Sequence, residues 1–335
     1  MTSHPFGISA ESPIQSETPT GSIYGTLTAP VGQPKPVVAL IIAGSGATDR
    51  NGNGQTAAVT NNCLKLLAAA LAGAGFASVR YDKRGVGSSR DAAPSERELR
   101  IEHYVQDAGA WVECLARDSR FSGVVVIGHS QGSLIGMLAA QRCPVLAFVS
   151  VAGPAENAAA VLRRQLAGQL PSDLAATSDA ILASLEAGRL SDDVPLELLP
   201  LYRPSVQPYL VSWFQYTPRI ELARLRIPCL ILQGDTDIQV GVSDAHALHG
   251  AHGACQLALV PGMNHVLKMV PPDRAEQLAS YGNPDLPIAE GLVQALTQFL
   301  RGITVVARSD PDANATQLAD VINDGASTWQ KDLNS

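Results

Sequence analysis

The chain has 335 residues, of which 46% are hydrophobic and 16% are charged, and its formal net charge is −7. This length suits one large α/β domain with an insertion, or two domains of ordinary size. The negative charge gives no electrostatic support for nucleic-acid binding, and no stretch approaches the ~20 consecutive apolar residues of a membrane helix. We therefore expect a soluble acidic protein with neither nucleic acid nor a membrane as its partner.

The N-terminal sequence and the cysteines both favour a cytoplasmic protein. The basic start and apolar run of a signal peptide do not occur in the first residues, MTSHPFGISAESPIQSE. The five cysteines lie far apart without a CxxC spacing, so we interpret them as small buried hydrophobic residues in a reducing compartment. They are Cys63, Cys114, Cys143, Cys229 and Cys255.

Apolar runs of strand length alternate with amphipathic stretches of helix length along most of the chain. The runs predict strands at 22–30, 37–44, 76–82, 123–128, 145–153, 227–234 and 255–262. The amphipathic stretches predict helices at 56–73, 101–117, 132–142 and near 243–252. This alternation indicates an α/β fold with a mostly parallel central sheet of about eight strands and helices on both faces.

The alternation stops between residues 154 and 226, where the sequence is rich in Ala, Leu, Gln and Pro and has no strand-like run. We predict that 154–226 is a helical cap inserted over the C-terminal edge of the sheet, with the core formed by 21–153 and 227–302. The remaining residues, 303–335, are predicted to be a polar C-terminal extension. For this extension we expect a short strand at 303–307 and a helix at 315–323.

The stretch VVVIGHSQGS, from Val124 to Ser133, contains a G-x-S-x-G pattern between a predicted strand and a predicted helix. At such a corner the serine, Ser130, takes a strained backbone conformation, and the flanking glycines let strand and helix approach closely. The N–H of Gln131, at the start of a helix, then points toward an oxyanion forming on a substrate. This context favours a nucleophile over a bystander serine in a glycine-rich turn.

A serine nucleophile needs a base, and the base needs an orienting acid. Two aspartates, Asp235 and Asp237, follow the predicted strand at 227–234. We prefer Asp237 as the acid, because Asp235 occupies the first position of the turn, where its side chain can bond to its own backbone.

His265 is the candidate base, because it follows the last predicted strand in a loop after Pro261-Gly262. The chain order serine, aspartate, histidine is the one expected on this kind of sheet. We interpret the three histidines on one predicted helix near Asp244 as a solvated helix face in preference to a metal site. They are His246, His249 and His252.

These motifs together resemble the α/β-hydrolase superfamily over about residues 21–302, and within it a bacterial esterase-like or serine-aminopeptidase-like subgroup. Three further stretches match the family's loops: DKRGVGSS at 82–89, GDTD at 234–237 and GMNH at 262–265. The resemblance implies that Ser45 supplies the second oxyanion N–H beside Gln131. Many family members have His-Gly where this chain has Ala43-Gly44. The reaction that the resemblance implies requires no metal and no organic cofactor.

Four further residues are candidates for the substrate pocket. Asp49 and Arg50 either line the pocket mouth or cap the helix predicted from 56. Trp213 and Phe214 either contact the acyl group or pack between cap helices. We expect Asp82 and Arg84 mainly to fix the conformation of their own loop.

The expected activity is hydrolysis of a small-molecule carboxylic ester through Ser130, His265 and Asp237, with an acyl-enzyme intermediate. Amides or peptides, thioesters and lactones are alternative substrates, because the sequence does not give the shape of the pocket. A ligand-binding protein without catalysis is an alternative of another class. The sequence gives no expectation for the oligomeric state.

Overall fold

A computed structural model describes residues 9–93 and 95–309, and an eight-stranded sheet runs through it. The strands are β1 (Ser9–Thr18), β2 (Gly21–Pro30), β3 (Val38–Ile42), β4 (Ala77–Tyr81), β5 (Val124–His129), β6 (Ala147–Val151), β7 (Cys229–Gly234) and β8 (Gln256–Val260). Their order across the sheet is β1-β2-β4-β3-β5-β6-β7-β8. The pairs β1–β2 and β2–β4 are antiparallel and the other pairs are parallel. The predicted, mostly parallel sheet is thereby confirmed.

Eleven α-helices occur in the described residues. They are α1 (Cys63–Gly73), α2 (Ile101–Arg117), α3 (Gln131–Ala140), α4 (Ala158–Leu166), α5 (Ser172–Glu186), α6 (Leu199–Tyr202), α7 (Gln207–Phe214), α8 (Pro218–Ala223), α9 (Val242–Ala251), α10 (Arg274–Ser280) and α11 (Glu290–Ser309). Within the described ranges, each helix is either too short or too polar to cross a bilayer.

Two apolar cores, one on each face, cover the sheet. Successive residues of β3 point into different cores. Leu40 belongs to the core that includes residues of α2 and α3, whereas Ile41 belongs to the core that includes residues of α1 and α11. All residues of β3 to β7 are buried, as expected for parallel strands covered on both faces. Because parallel strands point the same way, the loops after β3, β5, β7 and β8 meet at one edge of the sheet.

The chain between β6 and β7 forms the five helices α4 to α8, in agreement with a helical cap insertion. These helices do not have a separate core. Leu182 of α5 and Leu210 of α7 belong to the same apolar cluster as Leu134 of α3. The cap therefore packs directly on the helix that follows Ser130.

The structure differs from the sequence predictions at both ends of the described chain. Strand β1 was not predicted, because it is an edge strand with a polar sequence and only Ser16 is buried. The strand predicted at 303–307 is wrong, since α11 continues to Ser309 with Leu292, Leu296 and Phe299 buried along one face. The helix predicted at 315–323 lies outside the described residues.

Candidate active site

Ser130 occupies a tight turn between β5 and α3. Its φ of 55° and ψ of −122° are unusual for a residue with a side chain, and such a conformation costs about 1–3 kcal/mol. Two hydrogen bonds hold the turn: Ser130 N–H donates to Val151 O at 2.9 Å, and Ser133 N–H donates to Ser130 O at 3.0 Å. The backbone of Ser130 is thus held at the end of β5 by its neighbours.

The glycines on either side of Ser130 are required by the close approach of backbone to backbone. A Cβ at Gly128 would lie 2.2 Å from Gly132 O, and a Cβ at Gly132 would lie 2.2 Å from Ile42 O. Since the colliding atoms belong to the backbone of α3 and β3, no side-chain rotation relieves either contact. The G-x-S-x-G pattern is therefore a steric requirement of this turn.

We expect Gly132→Ala to lower the free energy of unfolding by about 3 kcal/mol, because the added methyl group collides with β3. Gly250→Ala is the matched control, since no atom lies within 4 Å of a Cβ at that helical position. It should stabilise the protein by about 0.5 kcal/mol. Urea unfolding curves of both variants test the difference, and equal effects of the two substitutions would contradict this explanation.

His265 and Asp237 form a buried pair in the loops after β8 and β7. His265 Nδ1 lies 2.8 Å from Asp237 Oδ2, and Asp237 Oδ1 accepts the N–H groups of Gln239 at 2.7 Å and Val240 at 3.0 Å. Burial alone would raise the pKa of Asp237, but His265 and the two N–H groups outweigh burial and hold this pKa below its usual value. Asp237 is therefore ionised at neutral pH and can orient the imidazole.

The other aspartate of this loop, Asp235, has a different partner. Its carboxylate accepts the N–H of Gly262 at 2.6 Å and so connects the loops after β7 and β8. Gln233, which sequence reasoning missed, donates from Nε2 to Asp237 Oδ2 at 3.1 Å and to Val240 O at 2.9 Å. The sequence signal that could have identified Gln233 is its position as the single amide in the otherwise apolar strand CLILQG.

His265 is connected to the serine turn through His129. His129 Nε2 lies 2.8 Å from the carbonyl oxygen of His265, and the centroids of the two rings are 5.0 Å apart. Burial, together with the charge of His265, lowers the pKa of His129 to about 4, so His129 is neutral at pH 7. Within the described residues no hydrogen bond joins His265 to Ser130.

The loop after β3 passes beside Ser130 and is held by Lys83. Lys83 Nζ donates to the carbonyls of Gly44 and, at 3.0 Å, Gly46, and burial lowers the pKa of Lys83 to about 7. Ser45, the residue between these glycines, lines the same cavity as Ser130 and Gln131. As the first residue of α3, Gln131 has an N–H without an intrahelical partner.

A cavity of about 300 Å³ opens between Ser130 and the cap. Its walls include Leu134 of α3 and, from the cap, Leu162, Tyr209 and Trp213. Tyr209 was not singled out from the sequence, and its hydroxyl lies 2.6 Å from Gln131 Nε2. The cavity is thus mostly apolar, with hydroxyl and amide groups next to the serine.

Three of the four predicted pocket residues are not among those that line this cavity. Arg50 is turned away because it donates to Asp82 at 2.6 Å. Asp49 accepts the N–H groups of Asn51 and Asn53 within its own loop. Phe214 is buried in the apolar cluster beneath the cap. Only Trp213 lies where the sequence analysis expected a pocket residue.

The histidines of α9 do not gather around Asp244 in the described residues. The carboxylate of Asp244 is buried and accepts the N–H of Ala155 at 3.0 Å and Arg164 Nη2 at 2.7 Å. His246 is exposed. His252 is the first residue after the end of α9, so it is not part of that helix.

Comparison with known proteins agrees with this fold. The model of the Alpha/beta hydrolase family matches residues 51–281. Esterase EstD of Thermotoga maritima is 28% identical over 241 residues, which cover 72% of this chain and 56% of that protein. The chain thus spans little more than half the length of this relative.

Solved structures of similar proteins share the fold at low sequence identity. Est1E from Butyrivibrio proteoclasticus has a TM-score of 0.55 at 16% identity, covering 88% of this chain and 99% of that one. Proline iminopeptidase from Mycobacterium smegmatis has a TM-score of 0.58 at 15% identity, covering 88% and 100% of the two chains. With a family model that matches more than half of its residues, the chain belongs to the alpha/beta hydrolase family.

Proposed function

We propose that this protein is a serine hydrolase of carboxylic esters, with Ser130 as nucleophile, His265 as base and Asp237 as the orienting acid. The observation that carries the proposal is the strained Ser130 at the wall of a cavity, next in the chain to His129, whose Nε2 lies 2.8 Å from the carbonyl oxygen of His265 in the buried His265–Asp237 pair. The similarity to Esterase EstD supports esters over other acyl compounds. None of the five cysteines forms a disulfide within the described residues, and we propose a cytoplasmic location on this basis.

The proposed reaction follows from the protonation states of the pair. His265 Nδ1–H donates to Asp237, so Nε2 carries the lone pair that takes the proton of Ser130 as its oxygen attacks the ester carbonyl. The N–H groups of Ser45 and Gln131 stabilise the oxyanion. His265 then protonates the leaving alcohol, and water hydrolyses the acyl-enzyme by the same proton transfers in reverse. In this proposal the chain's own residues carry out every step.

The size of the cavity suggests the class of ester. About 300 Å³ is at the lower end of the range of roughly 300–1,000 Å³ for small-molecule pockets. The cap residues Leu162 and Trp213 line the cavity with apolar side chains that can contact an acyl chain. We therefore propose substrates with a short acyl chain.

Turnover of p-nitrophenyl esters from acetate to laurate, combined with fluorophosphonate labelling, tests this function. We expect kcat/KM to fall toward laurate and the label to be found by mass spectrometry on the peptide that contains Ser130. Labelling of Ser130 without turnover of any ester would replace esters with amides or thioesters as substrates. Absence of both turnover and labelling would favour a ligand-binding protein without catalysis.

A further inference from the structure

Three side chains with metal-binding atoms lie together at the sheet edge opposite to the candidate active site. Cys229 is the first residue of β7, and Cys255 immediately precedes β8. Because the parallel register pairs Leu230 with Gln256, the two cysteines are level on neighbouring strands. His252 lies between α9 and Cys255, and its carbonyl accepts the N–H of Cys255 at 2.9 Å.

The side chains of this cluster converge on one point. One donor atom from each of Cys229, His252 and Cys255 lies within 4.8 Å of the other two. Both cysteines are free thiols, with only 1% and 3% of their surfaces exposed. The cluster therefore offers two sulfurs and one imidazole nitrogen that are largely shielded from solvent.

The imidazole of His252 is oriented as a metal ligand would be. Its Nε2 lies 3.0 Å from the carbonyl oxygen of Leu225, and because a carbonyl only accepts, Nε2 carries the proton. Nδ1 then has a free lone pair, and it is buried without a hydrogen-bond partner among the described residues. A backbone carbonyl that fixes the second nitrogen is the usual support of a ligating histidine.

We propose that Cys229, Cys255 and His252 Nδ1 form a zinc-binding site. Thiolate and imidazole ligands suit Zn²⁺ and not Mg²⁺ or Ca²⁺, and water can complete a tetrahedron around three protein ligands. Binding releases the two thiol protons to solvent, and the resulting thiolates neutralise the charge of the ion. Ligand atoms of such a site are about 3.5–3.8 Å apart, so side-chain movements of about 1 Å complete the site.

The ion would link β7 to β8 at the ends farthest from Asp237 and His265. Its expected effect is on stability, because it joins two neighbouring strands and takes no part in the proposed ester hydrolysis. At a zinc concentration 100 times the dissociation constant, we expect the melting temperature to rise by about 5 °C. This inference does not depend on the proposed function of Ser130.

Titration of the reduced, metal-free protein with Co²⁺ tests the site. We expect one equivalent to produce the sulfur-to-cobalt charge-transfer absorption and the visible bands of tetrahedral cobalt, and Zn²⁺ to abolish them. In the same protein, Zn²⁺ should slow alkylation of Cys229 and Cys255, as measured by mass spectrometry. Both measurements use the unaltered chain, so they do not depend on whether a variant folds.

Matched variants assign the absorption to the cluster. Cys255→Ser and His252→Gln should lose or weaken the charge-transfer band, whereas Cys143→Ser, a buried cysteine on another part of the fold, should keep it. Absence of the band in the unaltered reduced protein overturns the proposal. A band that persists unchanged in Cys255→Ser overturns it as well.

Discussion

Replacing Ser130 with alanine is expected to lower kcat for the best p-nitrophenyl ester by at least about 10⁴-fold, because the proposed acyl-enzyme forms on the Ser130 hydroxyl. The strained backbone at this position favours a small residue, and φ is 55°. The variant should therefore keep the fold, and its unfolding curve should lie close to that of the unaltered protein. Steady-state kinetics and fluorophosphonate labelling measure the loss.

Two controls make this result specific to Ser130. Ser133→Ala removes a buried hydroxyl from the same helix, one that bonds to Ser150 at 2.7 Å, and it should lower stability while leaving most of the activity. KM of the Ser130 variant should stay near that of the unaltered protein, since the substitution removes a single oxygen atom from the cavity wall. Residual activity above a few per cent in Ser130→Ala would contradict its role as nucleophile.

Asp237→Asn is expected to lower kcat by about 10³- to 10⁴-fold. In the proposed reaction, the amide no longer stabilises the imidazolium that forms when His265 takes the serine proton, and it can impose the wrong tautomer on the ring. The loss should appear in kcat and not in KM, because Asp237 is buried, bonds to His265 and is not among the residues lining the cavity.

Asp235→Asn is the matched control for this prediction, since the two aspartates are two residues apart in the same loop. The partner of Asp235 is the N–H of Gly262, and an amide oxygen can still accept that hydrogen bond. We expect its activity to change by no more than a few-fold. If Asp235→Asn instead abolished activity while Asp237→Asn retained it, the assignment of the acid would have to be reversed.

The parts of the fold with strong local patterns were predictable from the sequence. Helix α2 was predicted with the observed bounds, because its apolar residues recur at helical spacing and Trp111 and Val112 lie on the buried face. The turn at Ser130 was predictable because steric contacts leave so few residue types possible there. Strand β1 lacked such a signal, since its residues are polar and mostly exposed.

The side-chain partners within the site were less predictable. The sequence left Arg50 either at the pocket mouth or as a cap of the helix predicted from 56, but its guanidinium donates to Asp82, which is 32 residues away in the sequence. Lys83 appears in the sequence only as part of a loop motif, yet its Nζ holds the loop that contains Ser45. Such pairings depend on which loops meet at the sheet edge, and this information is absent from local patterns.

The shared apolar cluster of cap and sheet limits how this enzyme can be engineered. Every residue of α3 is buried, and cap residues such as Leu182 and Leu210 belong to the same cluster. A chimera that carries foreign helices in place of residues 154–226 would expose or overpack α3, the helix that follows Ser130. Changes of substrate range are therefore better sought by single substitutions in the cavity wall, at Leu162 or Trp213, than by exchange of the whole cap.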